Sequence, residues 1–492
     1  MPVKILFSFL LFAGLSARAA FDFNSSCKVA YGHILSLRFE KGKELIAAEK
    51  KKNPQNSAVL LLENYMDFLT LFISEEKKQF DSLEKNRSLR LKILEKESKG
   101  NPWYLYAQAE INLQWAFARL KFSEYLAAAT EINKAYDLLK ENEKKFPAFI
   151  PGKKSFGLLH ALIGTIPDEY KWVVEMVGIT GTVRQGVGEL KEVLEKSGEE
   201  YEFIADEALF LLSFIEHNLD NDEEELKQVS GLLDKKNISG SPLLVYTAAS
   251  IAVHTGKGDK ALQLLSKRPQ GKDYFPFHYL DYLHGVALLN KLDTSASFYF
   301  SQYLTRFRGV NYIKSALQKL AWCEVLKGNT QAAKKYYALV IKSGNSLTDE
   351  DKQAQKEALS ETLPHPILLK ARLLFDGGYY TLSLKTLTEV KPSEVFTGPK
   401  EFLEYIYRLA RIYHRSGNIP KAVKYYEETL KQGEKYPYYF AANSALHLGL
   451  IWESAGDKKK AAEYFKKVLS FKDHEYKNSI DQKAKAGLSR VQ

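Results

Sequence analysis

A recurring spacing of small and large side chains limits the fold more than any other feature of this sequence. Each copy has a large apolar residue, then Leu-Gly or Leu-Ala, an aromatic residue, a turn glycine, a small residue and a final aromatic residue. Two copies are complete, and a third lacks only the aromatic residue before the turn. The copies comprise Ala445, Leu448-Gly449, Trp452, Gly456-Asp457, Ala461 and Phe465; Ile406, Leu409-Ala410, Tyr413, Gly417-Asn418, Ala422 and Tyr426; and Leu317, Leu320-Ala321, Gly328-Asn329, Ala333 and Tyr337.

Pairs of antiparallel helices explain this spacing. Small residues such as Gly449 and Ala461 let two helices approach closely, and bulky residues fill the space beside them. A turn glycine can adopt the left-handed backbone conformation that closes a helical hairpin. Weaker copies turn at residues 256–259 and 377–378, and a first hairpin is expected to turn at Gly42. The sequence therefore predicts an all-α fold, an α-solenoid of antiparallel helix hairpins.

Two stretches interrupt the hairpins and divide the chain. Residues 148–199 are rich in glycine and are expected to form short, tightly packed helices, whereas residues 343–366 are expected to form an exposed polar insert. The other predicted segments are a signal peptide at 1–19, N-terminal hairpins at 20–147, middle repeats at 200–342, C-terminal repeats at 367–475 and a capping helix at 476–492.

The first twenty residues have the composition of a secretory signal peptide. Lys4 provides a positive start, residues 5–15 are apolar, and Ala17-Arg18-Ala19 is a cleavage site of the small-x-small kind. The apolar run is short for a membrane-spanning helix, so an uncleaved anchor is the alternative. The sequence predicts an exported protein that is periplasmic or associated with the outer membrane.

Charge gives limited information about partners. The formal net charge is +10, and removal of Lys4 and Arg18 with the signal peptide leaves +8. Most lysines alternate with glutamates, a pattern typical of solvated helix faces, so we predict no nucleic-acid partner. The runs at residues 50–52 and 458–460 leave peripheral contact with anionic membrane as an alternative. A disulfide between Cys27 and Cys323 is a further open alternative.

Candidate chemical motifs fail on inspection. The glycines of residues 178–188 lack the Gly-Lys-Ser/Thr of a phosphate loop. The acidic run at 220–224 resembles a calcium loop but has Glu225 and Gly231 where glycine and glutamate are needed. His278 and His284 have no third metal ligand nearby. We therefore predict a protein that is not an enzyme, with no catalytic, cofactor-binding or metal-binding residues and no cofactor.

What remains is a surface for a protein or peptide partner. In stacked hairpins the concave wall is lined by the first helix of each pair, at positions that face away from the seam. Aromatic and arginine side chains at such positions often anchor interfaces, although they also finish cores. The predicted partner-binding residues are Gln318, Trp322, Tyr407, Arg411, His414, Asn443 and Leu446.

The three best copies resemble tetratricopeptide repeats, which implies a superhelical scaffold for protein binding. Tyr407 and Arg411 stand where chaperone-binding repeats have Lys and Asn, so that ligand is not implied. The chain also resembles an exported Bacteroidetes family of undefined function, through NPWY at 101–104, GLLHALIG at 157–164, GVNYIK at 309–314 and YKNSID at 476–481. A fainter similarity, in residues 156–190 and the late repeats, is to the eukaryotic tetratricopeptide family of inclusion-body clearance.

Three functions follow as hypotheses. The first is a non-catalytic scaffold for protein–protein interaction in the bacterial cell envelope. The second is a peripheral envelope protein held on anionic lipid by its basic surface. The third is a hydrolase of unknown class with a site in the glycine-rich region, in which His160 and Glu175 are the obvious candidates.

Overall fold

The computed structural model describes residues 21–166, 178–220 and 223–492. The predicted fold class is confirmed, because these residues form α-helices joined by loops and contain no β-strand. They divide into two compact units. The first comprises residues 21–166, 178–220 and 270–275, and the second comprises residues 223–269 and 276–492. The predicted segment boundaries are finer than this division and stay predictions, as does the signal peptide at 1–19, which lies outside the described residues.

Antiparallel hairpins make up most of the first unit, and three short turns of helix near its end lie at Gly198–Tyr201, Glu202–Ile204 and Glu216–Asp220. Its main helices are α1 (Ser25–Leu35), α2 (Phe39–Lys52), α3 (Ala58–Ser74), α4 (Lys77–Leu94), α5 (Pro102–Lys121), α6 (Tyr125–Lys145), α7 (Ile150–Gly164), α8 (Val183–Lys196) and α9 (Ala205–Ile215).

The second unit continues the hairpin pattern in chain order, with one short additional helix at Pro392–Val395. Its helices are α10 (Glu223–Lys235), α11 (Pro242–His254), α12 (Gly258–Ser266), α13 (Tyr279–Asn290), α14 (Ala296–Arg306), α15 (Ile313–Leu326), α16 (Thr330–Lys342), α17 (Asp349–Leu359), α18 (Pro366–Asp376), α19 (Tyr380–Thr388), α20 (Pro399–Arg415), α21 (Ile419–Gly433), α22 (Tyr439–Ser454), α23 (Lys458–Ser470) and α24 (Lys477–Val491).

The small-and-large spacing acts as the sequence predicts. A Cβ added to Gly449 of α22 would lie 2.5 Å from the ring of Phe465 in α23, and one added to Gly487 of α24 would lie equally close to the same ring. Phe465 is fully buried between these two helices. The absence of a side chain at Gly449 and Gly487 therefore leaves room for the ring of Phe465 between the last hairpin and the C-terminal helix.

The described part of the glycine-rich segment shows the close packing that was predicted, but its two main helices are not short, since α7 has 15 residues and α8 has 14. A Cβ on Gly186 of α8 would lie 2.2 Å from the carbonyl oxygen of Gly157 in α7, and one on Gly181 would lie 2.6 Å from the Cα of His160. Only glycine permits backbones to approach this closely.

Two predictions about local structure are wrong. The first hairpin does not turn at Gly42, which lies inside α2 against the side chain of Ile34. The turn falls instead at Leu37, whose φ of 57° provides the left-handed position. The insert at 343–366 is not wholly exposed either, because α17 buries Asp351, Ala354 and Ala358 on one face.

Candidate functional site

The seven predicted partner-binding residues differ in exposure. Arg411, His414 and Asn443 are partly exposed in the second unit. Gln318, Trp322, Tyr407 and Leu446 are buried, and each is at most 3% exposed. Leu446 packs in the core formed by α22, α23 and α24, away from the polar members of the set. Whether any of the seven contacts a partner stays a prediction.

Three of the predicted residues form one hydrogen-bonded group. Arg411 donates from Nη1 to the hydroxyl of Tyr407 at 3.0 Å, and Asn443 donates from Nδ2 to the same hydroxyl at 2.6 Å. His414 lies one turn beyond Arg411, with Nδ1 3.3 Å from the hydroxyl of Tyr426. Tyr407 therefore holds the side chains of two neighbouring first helices, α20 and α22, in fixed positions.

A cavity of about 320 Å³ in the second unit brings Trp322 and Arg411 together. The ends of several first helices and the loops after them form its walls. The lining residues are Val253, His254, Thr255, Gly256, Val286, Leu289, Asn290, Lys319, Trp322, Arg372, Leu373, Phe375, Asp376, Tyr380, Arg411 and Arg415. Gln318 touches this group indirectly, because its Oε1 accepts a hydrogen bond from Lys319 Nζ at 2.9 Å.

Cations stacked on aromatic rings dominate the cavity. Lys319 Nζ lies 3.7 Å from the centroid of the Trp322 ring, and the Arg372 guanidinium carbon lies 4.9 Å from the same centroid. The Arg411 guanidinium carbon lies 4.9 Å from the ring centroid of Phe375. Burial, with the positive charge of Arg372, lowers the pKa of Lys319 to about 8. These contacts hold positive charge in a partly desolvated position.

Several carboxylates lie near these cations, but only Asp376 belongs to the cavity lining. Asp376 Oδ2 lies 3.7 Å from Arg372 Nε, and its side chain is 47% exposed. Glu357 accepts a hydrogen bond from Trp322 Nε1 at 2.6 Å and another from the Tyr337 hydroxyl, so it orients the indole. Among the lining residues, Lys319, Arg372, Arg411 and Arg415 stand against the single carboxylate of Asp376.

Two hairpin loops that are far apart in sequence meet beside the cavity. Gly258 N donates to Gly377 O at 3.1 Å, and the Tyr379 hydroxyl donates to Asp259 Oδ1 at 2.9 Å. A Cβ on Gly378 would lie 1.7 Å from the carbonyl oxygen of Gly256. This glycine contact brings the end of α11 against the end of α18, and the cavity lies between helices that the contact holds together.

Sequence reasoning missed Lys319, Arg372 and Arg415. A signal was present for one pair, because Arg411 and Arg415 lie one turn apart and therefore share a face of α20. Lys319 follows the predicted Gln318 directly but lies at no position that the repeat pattern marks. Arg372 lies in α18, where the repeat pattern is weak. Their convergence depends on the meeting of distant loops, which spacing within one hairpin does not reveal.

The first unit contains a buried ionic network that the sequence also did not indicate. Lys154 Nζ donates to Glu207 Oε2 at 2.7 Å, to the Tyr65 hydroxyl at 2.8 Å and to Glu110 Oε1 at 3.2 Å. Tyr31 donates to Glu207, and Ser155 donates to Glu110. Every charged group here has partners from other helices of the core, an arrangement that fixes helices in position.

Burial and neighbouring charges shift the pKa values of Glu110, Lys154 and Glu207 in this network. Although burial opposes both effects, the Lys154 ammonium lowers the pKa of Glu110, and the two carboxylates raise the pKa of Lys154. Burial raises the pKa of Glu207. Structural ion clusters perturb pKa values as active sites do, so these shifts alone do not indicate catalysis.

Of the two residues considered for a hydrolase site, the structure describes His160. His160 Nδ1 lies 2.7 Å from Glu189 Oε2 and 3.0 Å from Gln185 Nε2, while Glu175 lies outside the described residues. A second cavity, of about 530 Å³, opens near the start of α7 and the end of α8. Lys153 and Lys196 beside it both pair with Glu192, at 2.7 and 3.0 Å.

Within the described ranges, no group of three or more His, Cys, Asp or Glu residues is arranged to hold a metal ion. Cys27 and Cys323 are both buried free thiols, and burial raises their pKa values to about 12 and about 11. Among the described helices, none combines the length and apolar character that a membrane-spanning helix needs.

Comparison with protein families identifies repeats in two places. Residues 402–473 match one tetratricopeptide repeat model, and residues 315–343 match another. These matches cover α20 to α23 and α15 with α16. Repeats of this kind suggest a scaffold for protein–protein interaction and typically belong to non-catalytic proteins. Both matched stretches contribute to the cavity, through Lys319 and Trp322 in one and Arg411 and Arg415 in the other.

Solved structures of similar type share little sequence with the chain. The Cut9–Hcn1 hetero-tetramer of the APC/C matches at 13% identity over 94% of this chain and 88% of that chain, with a TM-score of 0.24. The P58(IPK) TPR domain matches at 12% identity over 85% and 99%, and yeast Tom70 at 13% over 86% and 96%, each with a TM-score of 0.23. At this similarity they give no argument about partners. The search of curated proteins finds no match.

Proposed function

We propose that this protein is a non-catalytic helical-repeat scaffold that holds a polypeptide segment in the cavity of its second unit. The observation that carries the proposal is the position of the cavity, which is lined by first-helix side chains from both stretches that match tetratricopeptide repeats. Those side chains rest on a preformed framework, since Tyr407 and Trp322 are already hydrogen-bonded. A preformed site loses little conformational entropy when it binds.

The setting that we propose is the bacterial cell envelope. It is supported by the signal-like residues 1–19, which favour export, and by the resemblance to exported Bacteroidetes proteins. N-terminal sequencing of the protein recovered from the envelope fraction is the direct measurement. We expect the mature chain to begin at Ala20. Recovery of the protein from the cytosol with Met1 or Pro2 at its N-terminus would contradict the envelope setting while leaving the scaffold function open.

Site-specific photocrosslinking in the native envelope tests the scaffold function. A photoreactive residue in place of Arg415, an exposed residue that lines the cavity, is expected to give a defined polypeptide adduct by mass spectrometry. The matched control places the same residue at Lys335, which is exposed on α16 and is not part of the cavity lining. Adducts that are absent at position 415, or the same at both positions, would refute polypeptide binding at this cavity.

A further inference from the structure

The cavity of the second unit has a charge that specifies its occupant. Its lining carries Lys319, Arg372, Arg411 and Arg415 against the single carboxylate of Asp376. We propose that this cavity binds an acidic segment of a partner polypeptide, whose carboxylates pair with Lys319, Arg372 and Arg411. The inference rests on the proposed function, because it names the chemistry of the segment that the scaffold holds.

The positions of the cations support pairing with carboxylates. Lys319 and Arg372 both lie over the ring of Trp322, at 3.7 and 4.9 Å from its centroid, so one indole holds two positive groups. Arg411 is held by the Tyr407 hydroxyl at 3.0 Å and by the ring of Phe375. A planar guanidinium in a fixed position binds a carboxylate through two parallel hydrogen bonds.

The lining of the cavity carries more positive than negative charge, because Glu350 and Glu357, which also act on Lys319, are not part of it. The Arg372–Asp376 pair is separated by 3.7 Å, and Asp376 is nearly half exposed, so the attraction between them is weak. The cavity of the first unit differs, because Lys153 and Lys196 there both pair closely with Glu192. The excess of positive charge in the lining of the second unit's cavity therefore favours an anionic partner, whereas the lysines beside the first unit's cavity are already paired.

The small volume of the cavity and the partial burial of Lys319 and Arg411 favour a peptide over other polyanions. A volume of about 320 Å³ lies at the small end of the range for ligand sites, roughly 300–1,000 Å³, and has room for a few side chains. Single-stranded nucleic acid needs a groove of cations that follows several phosphates. Lipid headgroups meet exposed cations on a surface, whereas Lys319 and Arg411 are only partly exposed. Phe375 and Tyr380 add apolar contact for a neighbouring side chain.

Fluorescence anisotropy with the full mature chain tests the inference. The probe is a fluorescein-labelled peptide of alternating Glu and Leu residues, and its matched control replaces every Glu with Gln. We expect binding of the Glu peptide that weakens as salt is added, and at least tenfold weaker binding of the Gln peptide. Equal binding of the two peptides would overturn the inference.

Substitutions locate the binding in the cavity. We expect Arg372→Gln and Arg411→Gln each to weaken binding of the Glu peptide by about tenfold or more, because each removes a charge-assisted hydrogen bond. Lys335→Gln removes one equal charge from exposed α16 and is expected to change affinity less than twofold, which is the effect of bulk charge alone. A loss in Lys335→Gln equal to that in the cavity variants would overturn the inference.

The unaltered protein provides a second measurement that does not depend on the folding of variants. Because Lys319 is partly exposed and its pKa is lowered to about 8, we expect its amine to react with an acylating reagent near neutral pH. Bound Glu peptide is expected to protect Lys319 at least fivefold, measured by mass spectrometry after digestion, while exposed Lys335 reacts at an unchanged rate. Equal modification of Lys319 with and without the peptide would overturn the inference.

Competitors separate acidic peptide from other anions. Oligo-dT and phosphatidylserine vesicles are titrated against the bound Glu peptide. Displacement by either at a lower charge concentration than unlabelled Glu peptide would overturn the choice of a polypeptide. If the photocrosslink from position 415 captures a partner but the Glu peptide does not bind, the scaffold function stands and only the acidic chemistry fails.

Discussion

At the scale of single residues, Lys154 has an unusual position, since it is a lysine that is only 1% exposed. Its ammonium group is surrounded by the carboxylates of Glu110 and Glu207 and by the hydroxyl of Tyr65. Removing one partner from such a cluster leaves the others as uncompensated buried charge. Lys154 therefore contributes more to the stability of the first unit than an ion pair at the surface does.

Substitution of Lys154 tests this contribution. We expect Lys154→Met to lower the free energy of unfolding by about 3–5 kcal/mol, because two buried carboxylates lose their counter-ion. Lys153→Met is the matched control, since Lys153 pairs with Glu192 while its side chain remains 24% exposed. The control is expected to cost less than about 1 kcal/mol. Urea denaturation measures both, and equal losses would contradict a stabilising role for the network.

Lys319 is a second residue whose charge can be tested, because its protonation should control peptide binding. Burial and Arg372 lower its pKa to about 8, against the opposing effects of Glu357, Glu350 and Asp376. A bound carboxylate stabilises the protonated amine of Lys319. At a pH where the free amine is neutral, binding of the Glu peptide is therefore coupled to the uptake of a proton. Binding should therefore be strong below pH 8 and weaken as the pH rises through 8.

The size of this pH effect follows from linkage. If the bound amine stays protonated, the affinity for the Glu peptide falls about tenfold between pH 7 and pH 9. Arginine keeps its charge over this range, so Lys319→Arg is expected to give a flat profile and serves as the control. Anisotropy titrations at several pH values make the measurement. A flat profile in the unaltered protein would show that Lys319 does not pair with the peptide.

At the scale of secondary structure, α17 has a role that its polar sequence conceals. Asp351 in its first turn is fully buried and reaches the start of α15. Its carboxylate accepts hydrogen bonds from the backbone N–H of Tyr312 at 2.6 Å and of Ser315 at 2.9 Å, and from the Thr348 hydroxyl at 2.9 Å. Asp351 thus caps a helix other than its own, beside the positive end of the α15 dipole.

Replacement of this cap has a defined cost. Asp351→Ala is expected to lower the free energy of unfolding by about 1–2 kcal/mol, because two N–H groups of α15 lose their acceptor. Asp349→Ala alters the same turn at a side chain that is 85% exposed, and is expected to have an effect below about 0.5 kcal/mol. Thermal unfolding of both variants provides the comparison. Similar shifts in the two variants would mean that the cap does not stabilise α15.

Turn chemistry explains which hairpins could be predicted from sequence. Gly256, Gly328, Gly417 and Gly456 all have positive φ at predicted turns, so glycine marked them correctly. The turn at Leu37 also has positive φ, but leucine gives no such signal, and the prediction moved to the nearby Gly42. A repeat pattern therefore locates those turns that depend on glycine and misses those that tertiary packing forces on other residues.

The candidate site was less predictable than the helices. The repeat pattern pointed to Trp322 and Arg411 because both lie on first helices at positions expected to face away from the seam, although Trp322 is buried in the structure. Arg372 was missed because its partners, Trp322 on α15 and Asp376 one turn along α18, lie together only after distant hairpins have packed. Hairpin spacing carries information about neighbours in the chain, whereas the cavity depends on loops more than a hundred residues apart.

At the scale of the whole molecule, the described chain comprises two units, and the contact between distant loops gives the second unit its cavity. Gly256 and Gly378 meet there so closely that neither can carry a side chain without movement. The Tyr379–Asp259 hydrogen bond and the pairing of Lys291 with Asp259 at 2.9 Å reinforce the same contact. Stability of this unit and the shape of its site should therefore change together.

Gly378→Ala tests that coupling against a control that shares its backbone strain. Gly378 has φ of +82° and its added Cβ would lie 1.7 Å from Gly256 O, whereas Gly417 has φ of +77° and nothing within 4 Å. Both alanine variants pay about 1–2 kcal/mol for a left-handed backbone, but only Gly378→Ala must also separate the loops. We therefore expect Gly417→Ala to lower stability and leave Glu-peptide affinity unchanged.

Gly378→Ala should lower stability further and weaken binding at least fivefold, since the walls contributed by α11 and α18 move apart. Thermal unfolding and anisotropy on the same preparations distinguish the two effects. If both variants bind the peptide as the unaltered protein does, the loop contact stabilises the unit without shaping the site. The cations on α15, α18 and α20 would then suffice to bind an acidic segment, because the order of neighbouring hairpins alone would hold them together.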